Sequence, residues 1–361
     1  MVCFMNLAPA LRGGILLVAM AASPLAASSP KIDLATARDL LTPTDAQMEG
    51  FSQWLKQRKA ELAHGGARIA QTNMGPIQYK RRGHGPVVIC LHGGFGGYDQ
   101  SWLMGSFLVK KGFTVIAVSR PGYLGTPISV GSSIEEQADA TVALMDALGI
   151  SRAAIYGFSA GSLVAFQVGV RHPERCSSVV LTGVGLQSNQ AAGYSFIDLF
   201  LKTDVGVDIP PYGLYLLTQI DFSAVLAIMM SVDTQLRSAA YDERFEYVMS
   251  HPSQLAWACA MAVSLTPFSD RRKGLIADVE AVATWPAYEA AGDFARFSPP
   301  MLIVDARHDN SGSYPQTRRI ASKIRTARLI SVEDSGHFIW LGKNTAKWEA
   351  QMIRYLREHR D

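Results

Sequence analysis

A serine set among small residues, Gly157-Phe158-Ser159-Ala160-Gly161, has the surroundings that nucleophilic chemistry needs. It follows a short apolar run at 153–156 and opens onto a helix-like run at 163–168. A serine at a tight strand-to-helix turn requires small neighbours, because strand and helix pass close together there. The turn lifts the hydroxyl clear of a sheet, and the helix N-terminus behind it favours negative charge. A hydroxyl is a weak nucleophile until a base takes its proton, and the usual base is an imidazole oriented by a carboxylate. His337, in Ser335-Gly336-His337-Phe338, and Asp309, in Ala306-Arg307-His308-Asp309-Asn310, each follow a late apolar run. The order Ser159, Asp309, His337 suits a parallel sheet whose strand ends converge on one edge. Asp305, at the strand end itself, is the rival acid. Leu91-His92-Gly93-Gly94-Phe95-Gly96-Gly97 supplies a third component, since glycines let a backbone N–H face a developing oxyanion unobstructed. Gly94 is the expected first donor, with Phe95 the alternative, and Ala160, directly after the serine, is the second. A phosphate-binding reading of this loop lacks both the G-K-[ST] ending and G-x-G-x-x-G spacing.

These residues need a scaffold, and the chain supplies an alternating one. Apolar runs at 87–91, 114–118, 153–156 and 178–181 predict buried strands, separated by helices over 101–111, 133–148 and 162–170. Two shorter strands, 68–71 and 77–80, precede them around Asn73-Met74-Gly75-Pro76. Strands at 301–304 and 327–332 flank a helix over 315–324, and a helix over 347–359 follows. Such alternation predicts an α/β fold with a doubly wound, mostly parallel sheet. Between about 186 and 297 it stops. That stretch is rich in Leu, Met, Tyr and Ala, with Pro210-Pro211 and Pro267 as breaks, and is expected to be an inserted helical cap. Its apolar part, 212–230, holds Gln219 and Asp221, which suits a cap better than a membrane span. The expected organisation is a core of 66–185 and 298–361, the cap at 186–297, and a helical extension at 29–65. In that extension Thr44 and Gln47 form a capping box ahead of Met48, Phe51, Leu55 and Leu62.

The first 28 residues have another character. Arg12 precedes an uncharged apolar stretch, Gly13 to Ala22, and small residues around Ala27 and Ser28, the pattern of a secretory signal. Export to the periplasm or outside the cell is the expectation, with membrane anchoring by residues 13–29 the alternative. With Cys3 lost alongside the signal, Cys90, Cys176 and Cys259 make no disulfide framework. CxxC and HExxH patterns are absent, so no metal or other cofactor is expected. Hydrophobic residues make up 48% and charged residues 18% of the 361, as in an ordinary globular protein rather than a disordered one. The net charge of +3 comes without a long basic run, so nucleic acid is not an expected partner.

The chain resembles the alpha/beta-hydrolase fold superfamily, in its capped serine-hydrolase branch of esterases, lactonases, carbon–carbon bond hydrolases and proline iminopeptidase-like enzymes. The resemblance runs from about Gly66 onward. It rests on His92-Gly93-Gly94, Ser119-Arg120-Pro121-Gly122-Tyr123-Leu124-Gly125, the Ser159 turn, the Asp309 loop and Gly336-His337. Family members often carry an aspartate where Ser119 stands. The resemblance implies a hydrolase of an ester, lactone or similar acyl bond in a small substrate. It implies Ser159 as nucleophile, His337 as base and Asp309 as orienting acid. Trp257, Phe268 and Trp285 in the cap point to a moderately hydrophobic substrate. An aminopeptidase-like or carbon–carbon bond hydrolase would use the same triad. Rivals of other classes are a non-catalytic ligand-binding homologue and an acyltransferase. Relatives that form an alkyl ester, dehalogenases and epoxide hydrolases, need an aspartate where Ser159 stands.

Overall fold

The computed structural model describes residues 45–184, 215, 222–281 and 288–360. An eight-stranded sheet runs through it in the order β1-β2-β4-β3-β5-β6-β7-β8. The strands are β1 (Arg68–Thr72), β2 (Gly75–Arg82), β3 (Val87–Leu91), β4 (Thr114–Val118), β5 (Ala153–Phe158), β6 (Cys176–Thr182), β7 (Met301–Ala306) and β8 (Ala327–Val332). β1 and β2 form an antiparallel hairpin and β2 pairs antiparallel with β4, while every other pairing is parallel. The sheet is therefore mostly parallel and doubly wound, as its alternation predicts.

The helices, in chain order, are α1 (Asp45–His64), α2 (Tyr98–Gly105), α3 (Ile134–Ala147), α4 (Ala160–Arg171), α5 (Phe222–Asp233), α6 (Ser238–Ser250), α7 (Pro252–Val263), α8 (Arg272–Ala281), α9 (Asp293–Arg296), α10 (Tyr314–Lys323) and α11 (Thr345–Glu358). Alternate strand residues feed two cores. Ile89, Leu91, Ile155 and Ile303 pack with α3, α4 and α10 on one face. Val88, Cys90, Tyr156 and Val304 pack with α2 and α11 on the other. Both faces are covered, which is why the central strands read as continuous apolar runs rather than alternating ones. Each fully buried Ile, Leu or Val contributes about 1.5–3 kcal/mol.

Several elements differ from expectation in detail. The segment expected as one helix over 101–111 is α2 followed by a tighter 3₁₀ turn, Ser106–Lys111. Gly105 stands at the change, where the backbone presses against the Cys90 sulfur and a side chain has no room. α3 keeps its predicted place because Ser133 and Glu136 cap each other's amides, at 3.1 and 3.0 Å. The N-terminal signal segment, Thr44 of the expected capping box, Trp285 and much of 186–221 lie outside the described residues. Among the described residues no helix is long and apolar enough to cross a membrane. None of the three cysteines there is in a disulfide, and burial pushes the Cys90 thiol far above its ordinary range.

Candidate active site

β5 ends at Phe158 and α4 begins at Ala160, so Ser159 alone makes the turn, with φ of 52° and ψ of −124°. A non-glycine residue with positive φ costs of order 1–3 kcal/mol and persists only where its surroundings hold it. Here the Ser159 N–H donates to the Thr182 carbonyl at 2.9 Å, and the Ser162 hydroxyl bridges the Gly157 and Thr182 carbonyls. The flanking glycines are required by close approach. A side chain on Gly161 would fall on the Leu91 and His92 carbonyls, and one on Gly157 would lie 2.8 Å from the Ala165 methyl.

His337 and Asp309 reach this turn from two other strand ends. The Ser159 hydroxyl lies 3.0 Å from His337 Nε2, and His337 Nδ1 lies 2.8 Å from Asp309 Oδ2. A carboxylate only accepts, so the Nδ1 proton goes to Asp309 and the Nε2 lone pair faces the serine. The other Asp309 oxygen accepts the amides of Ser311 and Gly312, at 2.7 and 2.9 Å. All three residues are buried, with Ser159 the most accessible at 9%. Burial opposes the imidazolium, but Asp309, aided by Asp233 and Asp305, outweighs it and raises the His337 pKa above the usual value. Asp305 does not touch the imidazole. Its carboxylate accepts from Thr317 Oγ1 at 2.5 Å and from the Ala306 amide, and burial together with the Asp309 charge pushes it up to about 7.

The glycine loop lies against the serine, since a side chain on Gly93 would come within 2.9 Å of the Ser159 Cβ. The Gly93 amide donates to Gln100 Oε1 at 3.0 Å. Among the described residues the amides of Gly94 and Ala160 donate to no protein acceptor. Phe95, the alternative donor, stands in the same loop with a positive φ of 60°. His92 accepts the Arg120 amide at Nε2, so its proton is on Nδ1 and is donated to the Gly93 carbonyl at 2.7 Å. Burial and the Arg120 charge hold its pKa well below the ordinary value, keeping the ring neutral. Ser119 accepts the Tyr98 amide and donates to Gln78 Oε1, both at 2.9 Å.

Sequence reasoning missed the insertion's part in the site. Asp233, at the end of α5, sits behind the His337 loop. Its carbonyl accepts the His337 and Asn310 amides, at 2.9 and 3.1 Å, and its carboxylate accepts the Phe338 amide. Arg244 of α6 pairs with that carboxylate at 2.5 Å and donates to the Leu341 carbonyl at 2.8 Å. Thr234 pairs antiparallel with Asp309, and Gln235 holds the His308 and Asp309 carbonyls. Gly336 is glycine because the Asp233 carbonyl and the Thr234 Cβ crowd it. Asp233, the one charge in the apolar run Phe222–Asp233, was the available signal. Trp257 stacks on Trp340 at 4.9 Å in the seam between insertion and sheet. Phe268 packs 5.3 Å from Phe95, beside the glycine loop.

The alpha/beta hydrolase fold family model matches residues 86–343, most of the chain. The chain belongs to the alpha/beta hydrolase fold family. Among curated relatives it is 32% identical over 121 residues to a dihydrolipoyllysine-residue acetyltransferase component of an acetoin cleaving system from Cupriavidus necator. It is 34% identical over 129 residues to a 2-hydroxy-6-oxo-6-phenylhexa-2,4-dienoate hydrolase from Comamonas testosteroni. Each alignment spans 33% of this chain, and the chain covers only 32% and 44% of those two proteins. An alpha/beta hydrolase fold protein from Nakamurella multipartita shares the fold, with a TM-score of 0.69 and 24% identity over 81% of this chain and 99% of its own. Among the described residues no group of three or more His, Cys, Asp or Glu could hold a metal ion.

Proposed function

We propose that the protein is a serine hydrolase cleaving an ester, lactone or similar acyl bond of a small, moderately hydrophobic substrate. The observation that carries this reading is the hydrogen-bonded chain from the Ser159 hydroxyl through His337 to Asp309, at 3.0 and 2.8 Å. Ser159 attacks the carbonyl as its proton passes to His337 Nε2, and Asp309 holds the imidazole and stabilises the imidazolium. The Gly94 and Ala160 amides take the oxyanion. His337 then returns the proton to the leaving group, and water repeats the sequence on the acyl-enzyme. Phe268, Leu275 and Phe95, clustered beside the glycine loop, support an apolar substrate. Residues 186–297 act as the cap of this site over a core of 66–185 and 298–361, and residues 1–28 direct export.

A second reading keeps the same triad and applies it to a carbon–carbon bond, and the resemblance to the Comamonas dienoate hydrolase favours it. A panel of p-nitrophenyl esters, lactones, aminoacyl amides and oxo-dienoates, assayed with wild type and Ser159→Ala, separates the two. Turnover of an ester or lactone that falls by about 10³-fold or more in Ser159→Ala supports the proposal. Turnover confined to oxo-dienoates favours the second reading, and full activity in Ser159→Ala removes both.

A further inference from the structure

The glycine loop is gripped by the insertion as well as by the sheet. Arg120, from the loop after β4, is 1% exposed and sends Nε to the His92 carbonyl at 2.8 Å and Nη2 to the Gly93 carbonyl at 3.2 Å. Its guanidinium is paired in turn with both carboxylate oxygens of Asp278 on α8, at 2.7 and 2.5 Å. The Tyr123 hydroxyl donates to the same carboxylate at 2.5 Å, and its ring stands edge-on to His92, 4.6 Å between centroids. Arg271, just ahead of α8, donates to the Gly96 carbonyl at 2.5 Å and pairs with Asp99 at 2.9 Å. Backbone bonds seat the helix on the Arg120 loop, with Gly274 N–H to Gly122 O at 3.0 Å and Leu124 N–H to Asp270 O at 2.7 Å.

The consequence follows from the planarity of the peptide unit. In a trans peptide the carbonyl of one residue and the N–H of the next point in opposite directions. The Arg120 guanidinium, holding the Gly93 carbonyl, therefore aims the Gly94 N–H away from itself. We propose that Asp278 and Arg271 are positioning residues for the oxyanion hole, so that docking of α8 on Arg120 and Gly96 fixes the peptide planes that present the Gly94 amide. The cap helix then completes the catalytic constellation in addition to covering it. A guanidinium buried without its carboxylate would turn toward other acceptors and release the two carbonyls, because a buried charge must be paired.

This inference rests on Ser159 being the nucleophile, and the test separates the two. The second-order rate of labelling by a fluorophosphonate probe, kcat and KM with p-nitrophenyl butyrate, and inhibition by phenylboronic acid are measured in wild type, Tyr123→Phe and Asp278→Asn. Both fluorophosphonate and boronate give tetrahedral adducts that load the oxyanion hole, whereas butyrate product does not. The expected result is a labelling rate and kcat lowered about tenfold or more, with boronate affinity falling in parallel and KM and butyrate affinity within about twofold, since losing a whole oxyanion donor costs about 10²–10³. Tyr123→Phe removes the hydroxyl that steers the Asp278 carboxylate onto Arg120 without leaving a buried charge unpaired, so it loosens the clasp even where Asp278→Asn fails to fold. Wild-type labelling on Ser159 with Tyr123→Phe unchanged in kcat, or changed in KM alone, overturns the clasp while leaving the nucleophile standing. Wild type that takes no label on Ser159 overturns both.

Discussion

At the scale of single residues, the reaction depends on which groups carry protons. In the proposed mechanism His337 acts as a base only when neutral, so activity is predicted to fall as pH drops through its pKa. The groups facing it are Asp309 and Asp305 from the β7 side and Asp233 from α5, whose own charge is partnered by Arg244. Their summed effect raises the His337 pKa, so the acid limb of kcat/KM is predicted to lie above the ordinary imidazole value of about 6.5. Asp305 is itself pushed up to about 7, and its charge is one of those that favour the imidazolium. Replacing it, Asp305→Asn, removes one negative charge and is predicted to move the limb to lower pH with the maximum rate kept. A pH–rate profile of both proteins checks this, and a limb unmoved or shifted upward contradicts it. The choice between Asp309 and Asp305 was legible in the sequence as a preference only. Both flank the end of one strand, and side-chain direction across four residues of loop is set by tertiary contacts such as Thr317 to Asp305.

At the scale of elements, the sheet was legible and the contacts made by the insertion were not. β3 and β4 have the predicted bounds because strands buried on both faces leave unbroken apolar runs, and β8, at the sheet edge, keeps its predicted bounds as well. The contacts by which the insertion holds the site leave no such local trace. Asp233 lies 105 residues from the amide of Phe338, and Asp278 lies 158 residues from Arg120. The α5–α6 end wedges between the acid loop and the histidine loop, so its integrity should matter as much as that of the sheet. Asp233→Ala leaves Arg244 buried without its carboxylate, which costs about 3–5 kcal/mol. Urea unfolding of the variant should show that loss, and turnover should fall with it because the Asp233 carboxylate also holds the Phe338 amide, next to His337. A fully stable, fully active Asp233→Ala would contradict this role.

At the scale of the whole molecule, one edge of the sheet gathers groups from four separate regions of chain. The serine turn follows β5, the acid loop follows β7, the histidine loop follows β8, and the glycine loop follows β3. The insertion binds three of these loops together. α1, which precedes the region matched by the family model, joins the same network through Arg58, 2.5 Å from Asp99, which also pairs with Arg271. On the proposed reading, one serine answers for the protein's chemistry. The most direct measurement is peptide mapping by mass spectrometry after exposure of the intact protein to a fluorophosphonate probe. The account predicts a single adduct on Ser159 and loss of ester hydrolysis in proportion to it. An adduct on any other residue, or hydrolysis that survives full modification of Ser159, would contradict it.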